Sequence, residues 1–135
     1  MENICTTCDL DPSSHSCDVF NTYNSLIIYT CPNKALLYND AEGIVMHYDN
    51  ILKNNTKDWE FICDFDGFSF KHTLAVPTAI GVVKLFSQKY YKNLIKVNII
   101  NSNRFLHICI NIVWPFANDH MKSIIYIDNV KYDRV

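Results

Sequence analysis

The sequence predicts a three-layer α/β domain, a mostly parallel sheet with helices on both faces. Three observations predict it. In residues 59–66, Trp59, Phe61, Cys63 and Phe65 alternate with Glu60, Ile62, Asp64 and Asp66, the period of a strand. Ile62 interrupts the polar side, so both faces of this strand are expected to be partly covered, as in the middle of a sheet. A helical pattern follows and then a second alternating run, 94–100, so the unit reads strand, helix, strand with a right-handed crossover. Third, the stretch 101–116 is apolar most of the way round a helix, which requires cover on two sides.

Composition bounds the possibilities. The 135 residues make one domain with a core of its own. The formal net charge is −2 and the basic residues form no run, which argues against a nucleic-acid backbone binder. No apolar run approaches the ~18 residues that span a bilayer. The first residues lack the basic start and apolar core of a signal peptide, so a cytoplasmic chain with reduced cysteines is expected. Abundant Asn and Ile with only 3 Gly fit an AT-rich genome, of a protist or a large DNA virus; in the latter case the compartment would be the host cytoplasm.

Taken in order, residues 1–24 are polar with little periodicity and read as a flexible arm, leaving 25–135 as the domain. The arm carries Cys5 and Cys8 in a C-x-x-C, with His15 and Cys17 following. Four soft ligands suit zinc, but the second pair lacks the spacing of the common fingers, so free thiols are expected and no metal or cofactor is assigned. Residues 25–30, SLIIYT, form a strand closed by Pro32. Asn39, with Glu42 three residues on, starts a helix whose apolar face includes Ile44, Tyr48, Ile51 and Leu52, with His47 on its flank. After the central strand, Gly67 makes a sharp turn, and Pro77 opens a helix with Ile80, Val83, Phe86 and Tyr90 on one face. In the strand 94–100, Ile95, Val97 and Ile99 are expected on one face, with Lys96 and Asn98 on the other. Asn101 to Asn103 cap the next helix, where Phe105, Ile108, Cys109, Ile112 and Phe116 line one side and Leu106, Ile110 and Val113 another. Pro115 ends or bends it. A last strand spans 123–127, and 129–135 is a polar end.

Two carboxylates at the carboxyl end of a central strand lie where α/β proteins usually do their work. Asp64 and Asp66, two apart and so on one face, resemble the first motif of haloacid-dehalogenase-type phosphatases, as nucleophile and general acid/base beside Mg²⁺, with Ser102, Lys122 and Asp128 available for later roles. Against this, Phe68 follows Gly67 where that family prefers Thr, and Asp128 lacks an acidic neighbour. The plain reading is a pair of carboxylates capping a turn. Cys63 and Cys109 read as core positions, Trp59 and Trp114 as core or interface anchors, and His72, His107 and His120 as flank or surface residues.

The order of the pieces resembles the CRAL-TRIO domain of phosphatidylinositol-transfer-type lipid carriers. The matching features are Asp64 to Gly67 as Asp-x-x-Gly, the Tyr90-Tyr91 turn, Asn101 at the end of a strand, Phe105 in the helix after it, Pro115-Phe116 at that helix's end, and Lys122 before the last strand. They cover roughly 59–128. The resemblance implies a non-enzymatic protein that binds, and in carriers transfers, a lipid or other hydrophobic ligand between the sheet and a gate helix, with transient membrane contact. It implies an apolar lining, expected from Phe68 and Phe70 on the floor side and Phe105, Ile108, Ile112 and Phe116 on the gate, and an Ile112→Asp change that abolishes lipid uptake. The family's N-terminal helical domain and the segment after its last strand have no counterpart in these residues. Divergent relatives such as the BCH domains act on small GTPases or their regulators, so the alternative is a protein-interaction adaptor, or a homodimer that covers the gate helix.

Overall fold

The computed structural model describes residues 5–133; the expectations for 1–4 and 134–135 lie outside them. Its centre is a six-stranded sheet in the order β1-β2-β3-β4-β5-β6, formed by Cys17–Asn21, Ser25–Thr30, Asp58–Asp64, Leu94–Ile100, Ile125–Ile127 and Val130–Lys131. Strands β2 to β5 are parallel, and β1 and β6 add antiparallel edges. The helices are α1 (Thr6–Leu10), α2 (Ala41–Leu52), α3 (Phe70–Thr73), α4 (Val76–Leu85), α5 (Leu106–Val113) and α6 (Asp119–Ser123). This is the mostly parallel sheet with helices that the sequence predicts. Each crossover steps to the next strand in the same direction, so right-handed connections bring α2, α4 and α5 together on one face of the sheet, where all three line one cavity, instead of dividing them between the two faces as expected. That face carries Leu26, Ile28, Trp59, Phe61, Val97 and Ile99, all buried. The opposite face carries half-buried Ile27, Tyr29, Glu60, Ile62, Lys96, Asn98 and Tyr126.

The core is aromatic. Phe86, fully buried, meets Tyr48, Trp59 and Phe61 with ring centroids 5.6, 4.9 and 5.0 Å away, each nearly edge to face. The Trp59 indole N–H donates to the Tyr90 carbonyl at 3.1 Å, so the tyrosine turn after α4 closes onto the first strand of the crossover. That turn is a π-helical continuation of α4, Phe86–Tyr90.

Four local details depart from the sequence reading. Within the expected arm, Cys17–Asn21 pairs antiparallel with β2, because the turn at Thr22 (Thr22 N–H to the Ser25 carbonyl, 2.9 Å) folds it back. The cap of α2 is Asp40, one residue after Asn39; its carboxylate accepts from the Gly43 N–H at 3.1 Å. A Cβ on Gly43 would lie 2.0 Å from that carboxylate, so the glycine at the third helical position permits the cap. A bulge between Trp59 and Glu60 leaves Leu94, not Ile95, facing the core beside Val97 and Ile99. Finally, the polar end holds β6, joined to β5 through Asp128 and Asn129 at φ 48° and 70°, the positive pair a tight two-residue hairpin requires.

Gly67 earns its place by conformation. It sits third in a turn closed by the Phe68 N–H on the Phe65 carbonyl (2.9 Å), with φ 73°, and a Cβ there would lie 2.2 Å from the Asn33 amide nitrogen. Gly67→Ala is therefore expected to cost about 1–3 kcal/mol, from left-handed backbone and displacement of Asn33. Urea unfolding measures it, and an unchanged midpoint would show that the turn relaxes freely.

Candidate functional site

Between the helical face of the sheet and the helices lies a cavity of about 130 Å³. Phe61, Val97, Ile99 and Ile125 form its floor, α4 contributes Val82 and Val83, and α5 forms the cover. Its walls are almost wholly apolar, so water has few partners inside. The cover turns Leu106, Cys109, Ile110 and Val113 inward, positions i, i+3, i+4 and i+7 of one helical stripe. Burial pushes the Cys109 thiol up to about 11, so it acts as an apolar wall group. The helix is pinned at its start by Asn103, whose amide donates to the Phe65 and Phe68 carbonyls at 3.0 Å each and whose oxygen accepts from the Phe105 N–H at 3.0 Å. It ends as expected at Pro115, in the 3₁₀ turn Trp114–Phe116. Its start is later than expected: Asn101 takes φ 54°, Asn103 closes a turn ahead of the helix, and the helix opens at Leu106 after Phe105, which holds the N-cap position without a side-chain cap.

Of the residues expected to line the pocket, Phe68 is buried in the cavity wall, stacked on Phe65 at 4.3 Å. Phe70 opens α3 and is 60% exposed. On the cover, Phe105 and Ile112 are partly buried outside the cavity wall, Ile108 is 45% exposed, and Phe116 is exposed beneath the Lys84 ammonium. The structure thus brings to the cavity the second apolar side of this helix, Leu106, Ile110 and Val113, together with Cys109. Both sides are legible as apolar in the sequence; only packing decides which one faces the sheet. Tyr38 and Val82 also line the cavity, and no spacing signal singled them out; Val83, on the helix face that spacing marked, joins them.

The two carboxylates have separate roles. Asp64 is buried at the end of β3, where it accepts from the Tyr29 hydroxyl, from the Asn101 amide at 2.9 Å and from the Asp66 N–H at 2.9 Å. Burial alone would raise its pKa, but the hydrogen bonds from Tyr29, Asn101 and Asp66 outweigh it and hold the carboxyl below its ordinary range. With three donors engaged it acts as a clasp joining β2, β3 and the left-handed Asn101, while the Asp66 side chain is exposed. Ser102 and Asp128 bond each other at the neighbouring strand end.

The arm's ligand-type residues Cys8 and His15 meet α2 at His47. His15 and Cys8 are buried there, and His47, expected on a helix flank, is buried against them. Burial and then neighbouring His15 pull the His47 imidazole down to about 4. Cys17 sits apart, in β1. His72 is also buried, as the third helical residue of a capping box with Ser69.

A mostly parallel α/β sheet with an apolar cavity on its helical face, closed by one short apolar helix, defines a class of ligand-binding scaffold. A family model, that of the CRAL/TRIO domain, matches residues 34–134, and the chain belongs to this family. No curated protein matches it in sequence. Among solved structures it is similar to that of Sfh5, with a TM-score of 0.65 and 12% identity over 93% of this chain and 49% of the other, a likeness of fold. The chain therefore spans about half the length of that protein. Among the described residues no helix is long and apolar enough to cross a membrane.

Proposed function

We propose that this domain binds a lipid or another hydrophobic ligand without catalysing its conversion, with the ligand's apolar part held between the sheet and α5. The observation that carries this is the apolar cavity under a cover helix that turns one apolar stripe inward and leaves Ile108 and Phe116 exposed outside. Membership of a family of lipid-binding domains supports it. At about 130 Å³ the space is near the ~150 Å³ that admits a benzene ring. It is smaller than the ~300–1,000 Å³ of pockets for drug-sized molecules. An acyl chain enters only if α5 swings outward. Burial then drives binding at ~0.8 kcal/mol per methylene, and the exposed Ile108 and Phe116 are placed to touch a membrane while the helix is open.

The test is native mass spectrometry of detergent-free protein, with organic extraction, on the natural chain and on Cys109→Phe. Cys109 is partly buried in the cavity wall, so the larger ring fills existing space, with an overpacking cost within about 1–3 kcal/mol. A discrete mass excess that extracts as lipid and disappears in Cys109→Phe is the expected result. Ligand retained by a folded Cys109→Phe would place binding elsewhere. A bare dimer would favour the second reading, a protein-interaction module, since the exposed Ile108 and Phe116 would then be covered by another chain.

A further inference from the structure

The geometry points to a zinc site made by Cys5, Cys8, His15 and His47, which fastens the N-terminal segment to α2. One ligand atom from each residue lies within 4.8 Å of all the others. The His15 Nδ1 is 3.5 Å from both sulfurs, the His47 Nδ1 is 3.5 Å from the Cys8 sulfur, and the two Nδ1 atoms are 3.3 Å apart. Tetrahedral zinc, with Zn–S about 2.3 Å and Zn–N about 2.05 Å, spaces a sulfur and a nitrogen ligand by about 3.6 Å and two nitrogens by about 3.3 Å. These four separations match the corresponding edges of such a tetrahedron, and the remaining two pairs lie within 4.8 Å. Protons alone account poorly for this arrangement: each can serve one contact, whereas four lone-pair-bearing atoms converge on one point. A single cation at that point satisfies all of them.

The surroundings fit a closed structural site. The Nε2–H of His15 donates to the Asp40 carboxylate at 2.9 Å, which selects the tautomer whose Nδ1 lone pair faces the cluster. The other oxygen of that carboxylate caps α2, so the ligand's orientation and the start of the helix that supplies His47 are set by one side chain. Cys8, His15 and His47 are buried, and His15 is only 2% exposed. Two sulfurs and two imidazoles select zinc over magnesium, calcium or manganese, and four protein ligands leave no open position for chemistry. His47 enters from α2, 32 residues beyond His15, so no local finger spacing exists to be read. His15 also contributes to the wall of the apolar cavity, so the metal would hold part of that wall in place. The inference does not depend on what the cavity binds.

The test uses the full chain purified under reducing conditions without chelator. Elemental analysis is expected to find about one zinc per chain. Cobalt(II) added to the chelator-stripped protein is expected to give thiolate charge-transfer absorption and the intense visible bands of a tetrahedral S₂N₂ site. Cys5→Ser, at the least buried ligand, should lose this spectrum while far-ultraviolet circular dichroism shows a retained fold, and Cys17→Ser should keep it. Asp40→Asn, which can still cap the helix, should weaken cobalt affinity ~10–100-fold. A folded natural chain that holds no stoichiometric zinc and gives no tetrahedral cobalt spectrum would overturn the assignment. So would a spectrum that survives in Cys5→Ser or disappears in Cys17→Ser.

Discussion

Phe86→Ala is expected to destabilise the domain by about 3–5 kcal/mol, the range for truncating a buried aromatic in a packed core. Phe86 is fully buried and is the hub where the rings of Tyr48 from α2 and of Trp59 and Phe61 from β3 meet. No single neighbour can move into the space without leaving the others. Against a typical total stability of about 5–15 kcal/mol this is a large share, and the thermal midpoint should fall by roughly 10–20 °C. Phe86 also lines the cavity, so the truncation enlarges the apolar space. The same variant should therefore be rescued in part by an apolar ligand present in excess. Urea unfolding with and without such a ligand measures both effects. A loss under about 1 kcal/mol would show that the core collapses around the missing ring.

The second large effect belongs to Asp64→Ala, expected to cost about 3 kcal/mol because it strands the Tyr29 hydroxyl, the Asn101 amide and the Asp66 N–H at a largely buried strand end. The carboxyl also predicts a pH dependence. Its pKa in the folded state is below that of the unfolded chain, so between the two values the unfolded chain binds more protons. The contribution is fully present above the ordinary carboxyl value of about 4 and is lost as pH falls through the folded value. Asp49 acts in the same direction, held low chiefly by the Tyr90 hydroxyl and then by Lys89. Asp64→Asn should therefore be less stable than the natural chain at neutral pH and approach it in acid. Parallel stability–pH curves for the two would show that Asp64 is not the clasp described.

Much of the architecture is written locally. β2 and β4 occupy the stretches that alternation and β-branched content mark, and α4, opening at Val76, carries Pro77 in its first turn, where a missing N–H costs nothing. The Asp-x-x-Gly at the end of β3 is a turn motif whose residues act on one another, so it was legible from four letters. What escaped depends on partners distant in sequence. The edge strand β1 exists because it pairs with β2, and nothing in its own composition demands it.

The sequence by itself determined that a central strand ends in a tight carboxylate turn, that right-handed βαβ units build a parallel sheet, and that the helix ending at Pro115 is apolar on two sides. Each follows from side-chain period or backbone restriction within a few residues. Tertiary structure alone decided which side of that helix closes the cavity, because two apolar stripes on one cylinder are equivalent until a neighbour covers one. It alone also brought His47 to Cys5, Cys8 and His15, since the fourth member of that cluster comes from a helix whose approach is set by packing on the sheet rather than by spacing along the chain.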